Sequence, residues 1–500
     1  MRDTTVDRPV DQSHFECNKC PLDSLLKRKV LHFSLTQTIE ITQCVSPSFK
    51  RKSTLGMGTD QGRTSNLPGL AALASLTGSR PEDVGTTTFR PPFAGVRMST
   101  VAGVAQGDLY RPRRHLPAHE AHVRRGAVFQ DFGWQRPDWY RHGPHAEREA
   151  AVACEVGAVR KAVGIFDGSS LGKIEIAGPD AAAFISRFYV SNMASLRQGR
   201  IRYSVMLREN GVVFDDGVVM RLAENLFLAC PTSANADSVA AWFERWRQTE
   251  WPDMHVSIVP VTSQWATMAI AGPNARQLLQ RLAKAPDLSP EAFPHMAVRE
   301  GIVAGMPARV ARVSFTGELQ YEVSVAARCG EKLLEQLLET GGDLGAEPVG
   351  LEAWLRLRLD KGYVHVGSET NGRTTPLDLG MAEIVRKRCD DYIGARSLSL
   401  PSALKLGREQ LVGLMTMDGD LKAGGRILRG KRTLPPCATD GYVTSAAFSH
   451  TMGRSIGLAL VEDGSRRIGE TVRVFCGGRI VTCRLTVPVF YDPSNERMAR

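Results

Sequence analysis

Ile174-Glu-Ile-Ala-Gly-Pro-Asp-Ala181 returns further along the chain as Met268-Ala-Ile-Ala-Gly-Pro-Asn-Ala275. In each copy a short apolar run meets Gly-Pro and passes into an amphipathic stretch, with Phe184 and Arg187 answered by Leu278 and Arg281. Subtracting 174 from 268 gives 94, and that offset holds at every matched position, which is the signature of two related subdomains. Pro179 stands where proline is favoured, in the first turn of a helix. The expected fold is therefore α+β, with two related α/β subdomains built on antiparallel sheets.

Between the copies lies Val205-Met-Leu-Arg-Glu-Asn-Gly-Val-Val-Phe-Asp-Asp-Gly-Val-Val-Met-Arg-Leu222. Asn210-Gly211 tolerates the positive φ of a tight turn and separates two β-branched runs, so a hairpin is expected. Successive strand residues face opposite sides, so one of Asp215 and Asp216 points inward and the other outward. An inward carboxylate is costly unless it is paired, hydrogen-bonded or used in chemistry. After the second copy, Glu322 stands between Tyr321 and Val323 in an otherwise apolar strand and raises the same question.

Working outward, helices are expected at Glu147–Val163, 236–248, Gly330–Thr340 and Gly350–Lys361. After about Leu406 short strands with Gly- and Pro-rich turns predict a small β-barrel or sandwich over 405–495. The two-subdomain module is placed at 146–400. Residues 111–148 hold eight arginines against four acids and five of the eleven histidines, and read as a basic surface carrying Trp134, Trp139 and Tyr140. His115, His119 and His122 are spaced so that one helix could gather them, but no carboxylate or thiol completes a metal set. Residues 1–47 show no periodicity, and Cys17-Asn-Lys-Cys20 lacks the second pair that a zinc site needs. Gly56, Gly58 and Gly62 match neither phosphate-loop spacing, and Thr86–Phe93 reads as extended linker. No metal is expected.

A chain of 500 residues exceeds one core. Its 43% hydrophobic and 23% charged composition contains no membrane-length apolar run, and its ten cysteines show no repeated spacing, so a cytoplasmic setting is expected. The net charge of +10 admits an anionic small ligand as readily as nucleic acid, and no nucleic-acid-binding motif accompanies it.

Taken together, Val163-Gly-Ile-Phe-Asp-Gly-Ser-Ser-Leu-Gly-Lys-Ile-Glu-Ile-Ala-Gly-Pro-Asp-Ala181, the Asn210-Gly…Asp215-Asp216 hairpin and Phe315-Thr-Gly-Glu…Tyr-Glu322 resemble the aminomethyltransferase family, the T-protein of glycine cleavage and its relatives. Leu55–Asn66, Thr86–Pro92, Tyr203–Gly217, Gly350–Gly362 and Val366–Thr370 are most similar to the folate-binding half of heterotetrameric sarcosine oxidase alpha subunits. The likeness runs from about residue 48 to the C-terminus, and residues 48–145 resemble the end of the oxidase dinucleotide-binding region.

The resemblance implies a tetrahydrofolate site in a channel between three subdomains. By motif position Asp216 is the catalytic carboxylate, with Asp215 its alternative, and Glu322 holds the pterin. A carboxylate can accept two adjacent pterin N–H groups, and a fixed one can stabilise developing positive charge and assist proton transfer. Tyr491 stands near the position of a folate-contacting aromatic. Phe315 replaces a tyrosine common in the family. Trp354 replaces an arginine suited to the folate tail, so tail recognition either differs or uses the neighbouring Arg358 or Arg356. No dinucleotide-binding glycine motif is present, so amine oxidation is not expected from this chain alone.

The implied function is tetrahydrofolate-dependent one-carbon transfer from an N-methyl amine such as sarcosine, or its imine product, to give 5,10-methylenetetrahydrofolate beside flavin-bearing oxidase subunits. The alternative is a non-catalytic folate-binding or assembly subunit of such a complex that docks through residues 111–148.

Overall fold

A computed structural model describes residues 62, 64–85, 97, 113–141, 147–388, 390–430 and 436–499. Cys17, Cys20, Gly56, Gly58 and the Thr86–Phe93 stretch lie outside them. The chain divides into two units, 1–112 and 113–500. In the first, a helix at Asn66–Thr77 ends on Gly78, whose φ of 64° suits glycine, and a short helix follows at Pro81–Val84. Leu73, Ala74 and Val84 are buried together there.

The second unit opens with strands β1 (Arg114–His115), β2 (Ala127–Asp131) and β3 (Trp134–Tyr140), paired in the order β1-β3-β2. This part of the basic segment combines that sheet with a short helix, His119–Arg124. Its apolar and hydrogen-bonding residues turn inward, while Arg124 and Arg125 pair with Glu331 and Glu335 at the surface. Trp134 and Tyr140 are buried. The Tyr140 hydroxyl meets Nδ1 of buried His122 at 2.8 Å, and His122 Nε2 meets Asp167 at 2.9 Å. The three histidines are therefore divided: His115 lies in β1 and stacks on His119 at 3.9 Å, while His122 faces the interior. Among the described residues no group of His, Cys, Asp and Glu gathers around a metal-sized site.

The next strands are β4 (Val163–Asp167), β5 (Ile174–Ala177), β6 (Ile201–Leu207), β7 (Val213–Ala223), β8 (Leu226–Pro231), β9 (Ser257–Pro260), β10 (Trp265–Ala271), β11 (Ala283–Ala285), β12 (Ala297–Val303), β13 (Met306–Arg312), β14 (Gln320–Ala326) and β15 (Ala346–Pro348). They form a five-stranded sheet, β6-β7-β8-β5-β9, and a seven-stranded sheet, β11-β12-β13-β14-β10-β4-β15. All pairs are antiparallel except β15 with β4, so the second sheet is mixed. The helices of the second unit begin close to where the periodicity placed them, at Arg148–Lys161, Ala236–Thr249, Gly330–Thr340 and Leu351–Lys361.

The sequence echo is an echo of register. Ile174 opposes Ala229 and Met268 opposes Val323, so partner and strand are both displaced by the offset seen in sequence. The order β6-β7-β8-β5 is repeated as β12-β13-β14-β10, and beside the repeated strand each run gains a further one, β9 next to β5 and β4 next to β10, with β11 and β15 at the outer edges of the second sheet. That strand is exchanged. β4, which precedes the first copy, joins the second sheet; β9, which precedes the second copy, joins the first. Each subdomain thus contains a strand that its sequence position assigns to the other.

The exchange depends on close backbone approach at the repeated glycines. Gly178 and Gly272 have φ values of 136° and 132°. A Cβ at Gly272 would lie 2.5 Å from the Ala162 carbonyl and 2.7 Å from that of Val159, and one at Gly178 would strike the His255 carbonyl. Gly272→Ala is expected to lower stability by more than about 1 kcal/mol, read as a fall in the urea midpoint at unchanged slope. An unchanged midpoint would mean that this approach is not tight.

A closed barrel follows, made of β16 (Glu409–Thr416), β17 (Arg426–Leu428), β18 (Thr439–Ser449), β19 (Arg454–Glu462), β20 (Thr471–Cys476) and β21 (Arg479–Thr486) in the order β16-β19-β18-β17-β20-β21. Inward residues such as Val412, Leu414, Ile427, Val474 and Leu485 fill it. Among the described residues no helix is long and apolar enough to cross a membrane.

Candidate functional site

The hairpin turns on Gly211, with φ 78°, and a bulge shifts the register just beyond it, so that Met206 opposes Asp215 and Val205 opposes Asp216. Beyond the bulge the two carboxylates part. Asp215 turns toward the start of the Ala236–Thr249 helix, where it accepts the Thr232 N–H (3.0 Å), the Thr232 hydroxyl (2.7 Å) and the Asn235 side-chain amide (3.2 Å). Asp216 shares the other face with Val218 and Met220. Its Oδ2 accepts the Tyr203 hydroxyl at 2.7 Å, the one side-chain bond it makes among the described residues. Burial pushes its pKa up to about 7, Asp215 and Glu369 add to the rise, and the Tyr203 bond opposes it.

The face carrying Asp216 meets the second sheet. Ile201, Met220 and Leu228 from the first pack with Val298, Ala311 and Val313 from the second. In β14, Tyr321, Val323 and Val325 enter the second subdomain's core, so alternation turns Glu322 and Ser324 toward the first sheet. They line a narrow pocket, a cavity of about 20 Å³, together with Lys173, Met220, Leu228, Cys230, Thr267, Arg309 and others. Glu322 has no hydrogen-bond or ion-pair partner among the described residues. Burial pushes its carboxyl up to about 7, and the Lys173 charge partly offsets this. The same pocket raises the Cys230 thiol to about 12, which leaves it a neutral wall. In the pairing of the repeats Glu322 occupies the place of Leu228, so the symmetry of the fold is broken here by a carboxylate.

Asp216 does not line the Glu322 pocket: its cross-strand neighbour Val205 packs with Leu359 and Val364 toward the barrel, and Glu369 is among the charges nearest to it. Along β7, Asp216 is about 13 Å from the pocket-lining Met220. Arg358 and Tyr491 are placed differently. Arg358 directs Nη1 to Glu369 (3.0 Å) and Nη2 to the Ser445 hydroxyl (2.8 Å), joining the Leu351–Lys361 helix to the barrel. Tyr491 donates its hydroxyl to Glu318 at 2.6 Å and covers the Arg160 guanidinium at 3.9 Å. Arg356 pairs with Glu149 and Glu352. Neither Arg358 nor Tyr491 borders the Glu322 pocket.

Sequence reading passed over Lys173, Tyr203 and Glu369. Tyr203 alternates onto the Asp216 face and could have been found from the hairpin register. Lys173 and Glu369 carry no periodic signal, because loops bring them to the site.

The twofold sheet-and-helix repeat followed by a six-stranded barrel aligns with the fold of a solved aminomethyltransferase. The glycine cleavage system aminomethyltransferase T of Bartonella henselae aligns with a TM-score of 0.66 and 26% identity, over 76% of this chain and 98% of that one. Residues 118–388 match the GCVT N-terminal domain, 409–492 the glycine cleavage T-protein C-terminal barrel domain, and 45–104 the sarcosine oxidase A3 domain. The chain belongs to the glycine cleavage T-protein family.

An aminomethyltransferase of Desulfitobacterium hafniense is 30% identical over 76% of this chain and 98% of its own length. Sarcosine oxidase alpha subunits of Rhizobium meliloti and Corynebacterium sp. are 41% and 37% identical over 90% of this chain, and the chain spans 46% and 47% of their lengths. This chain thus corresponds to about half of those subunits.

Proposed function

We propose that this chain is a tetrahydrofolate-dependent one-carbon transferase module. In this reading it captures the one-carbon unit of an N-methyl amine such as sarcosine, or of its imine product, to give 5,10-methylenetetrahydrofolate beside flavin-bearing oxidase subunits. Residues 146–400 form the folate-binding module and 405–495 the barrel beside it. The observation that carries the reading is Glu322, a carboxylate without a hydrogen-bond or ion-pair partner among the described residues, in a pocket between two sheets. Glu322 is half-buried, so its carboxylate keeps two acceptor oxygens open toward the pocket, where a ligand with paired N–H donors can replace water. The 2-amino and adjacent ring N–H of a pterin match its two oxygens, so the residues present fit the group.

Tetrahydrofolate, when bound, supplies two amine nitrogens that take up the one-carbon unit. Glu322 anchors the pterin, and Asp216 is the acid–base group whose negative charge balances the cation formed in transfer. The apolar walls of Met220 and Leu228 exclude water. Arg358 and Tyr491 are assigned to the supporting frame.

The test is calorimetric titration with tetrahydrofolate across pH, in the Asp216→Asn background so that Asp216 does not titrate. Glu322 must be ionised to accept two N–H groups, and its free-state pKa is about 7. Affinity should be full above that value and fall by roughly tenfold per unit below it. Glu322→Gln should weaken binding by about 2 kcal/mol at the alkaline end and flatten the slope. Equal affinity and slope in the two proteins would remove Glu322 from the site.

A further inference from the structure

The Glu322 pocket holds a second charged side chain whose hydrogen-bonding capacity is only partly used. Lys173 lies just before β5 and is 4% exposed. Its Nζ donates to the Ser169 carbonyl at 3.2 Å and the Leu171 carbonyl at 2.9 Å. An ammonium has three N–H donors, and the third has no acceptor among the described residues. Burial holds this amine below its usual pKa, with Cys230 and Glu322 among the nearby groups opposing the shift. Yet Lys173 and Glu322 form no ion pair. A buried cation is costly without matched acceptors, and two carbonyls fix this one in place without completing its set. The pocket therefore presents a fixed donor beside a two-oxygen acceptor, with Thr267 and Ser324 hydroxyls bonded to each other at 2.9 Å on the same wall.

We infer that Lys173 is a specificity-determining residue that donates to the 4-oxo group of the bound pterin, so that the pocket selects a 2-amino-4-oxo edge over a 2,4-diamino edge. The inference rests on the folate reading above. In the 2-amino-4-oxo ring, the two donors suited to Glu322 are the 2-amino group and the neighbouring ring N–H, and the next atom along that edge is the 4-oxo acceptor. Replacing that oxygen by an amino group sets donor against donor at Lys173 and also removes the ring N–H that Glu322 accepts, so the two residues share the discrimination and only the Lys173 share is lost with its side chain. A site built to hydrogen-bond one group discriminates far more strongly against its replacement than an apolar wall does.

The experiment compares the dissociation constants of tetrahydrofolate and its 4-amino analogue for the full chain and for Lys173→Met, with thermal unfolding of both proteins as a fold check. The unaltered protein is expected to favour the 4-oxo ligand by roughly 100-fold or more. Lys173→Met is expected to weaken the 4-oxo ligand by roughly 10- to 100-fold, the value of a charged hydrogen bond, and to shrink the ratio of the two affinities by roughly tenfold or more, the remainder being the share of Glu322. A structural role for Lys173 would lower both affinities equally and leave their ratio intact, which overturns the inference. A ratio near one in the unaltered protein overturns it without any variant. If the folded protein binds neither ligand, the folate reading fails, and this inference with it; binding without discrimination leaves the folate reading standing and removes only the role of Lys173.

Discussion

Asp216→Asn is expected to reduce the rate of methylenetetrahydrofolate formation by about 10²- to 10⁴-fold, the usual contribution of a positioned acid–base group, while folate affinity changes little. The expectation rests on the difference between two adjacent carboxylates. Asp215 is held by Thr232 and Asn235 at the start of a helix, and Asp216, on the opposite face, has Tyr203 as its one side-chain hydrogen-bond partner among the described residues. Asp215→Asn should therefore act mainly on stability. Single-turnover rates and urea midpoints of both variants separate the roles, and a full-rate Asp216→Asn enzyme would end the assignment.

The pH dependence has a definite sign. Burial raises Asp216 from 3.8 to about 7, so the folded state binds this proton more tightly than the unfolded state. Its stabilising contribution is present below about pH 3.8 and is lost as pH rises through about 7. Above that value the ionised side chain weakens the fold, and Asp216→Asn should be the more stable protein by roughly 1–3 kcal/mol while being the less active one. Removing the Tyr203 hydroxyl with Tyr203→Phe withdraws a bond that favours the charged form. The acidic limb of the rate profile should then move to higher pH.

Arg160→Met is expected to cost about 3–5 kcal/mol of stability, because it leaves buried carboxylates unpaired. Arg160 is 8% exposed. It donates to the Thr316 carbonyl (2.8 Å), Glu318 (3.1 Å), Asp360 (2.9 Å) and the Thr451 hydroxyl (3.3 Å), under the ring of Tyr491. These partners come from the Phe315-Thr-Gly-Glu loop, the Leu351–Lys361 helix, the barrel and the C-terminal segment, so one guanidinium joins four parts of the chain. Asp360 also accepts the Ser449 hydroxyl at 2.6 Å. Denaturant unfolding of Arg160→Met measures the loss, and Tyr491→Phe should lose less, since Arg160 keeps its carboxylates. A loss below about 1 kcal/mol for Arg160→Met, within the range of an exposed pair, would show that the network is not the junction it resembles.

Much of this protein follows from local order in the sequence. Asn210-Gly211 between β-branched runs determines a hairpin because few residue pairs tolerate its turn, and the two Ala-Gly-Pro copies determine two subdomains because the same local pattern meets the same strand register. Alternation along β14 turns Glu322 away from the core formed by Tyr321 and Val323. Tertiary structure decided what depends on distant partners. The charged 113–141 segment folds as a helix and sheet strands whose Tyr140 and His122 bury one another with Asp167 of β4. The exchange of β4 and β9 is a choice among edges that each offer the same hydrogen bonds. Sequence position suggests Arg358 for a ligand, but Glu369 and Ser445 take its donors. A side chain's character can be read from its own stretch of chain, whereas the partners that claim its charge arrive from elsewhere, and it is those partners that leave Glu322 and one donor of Lys173 open to a ligand.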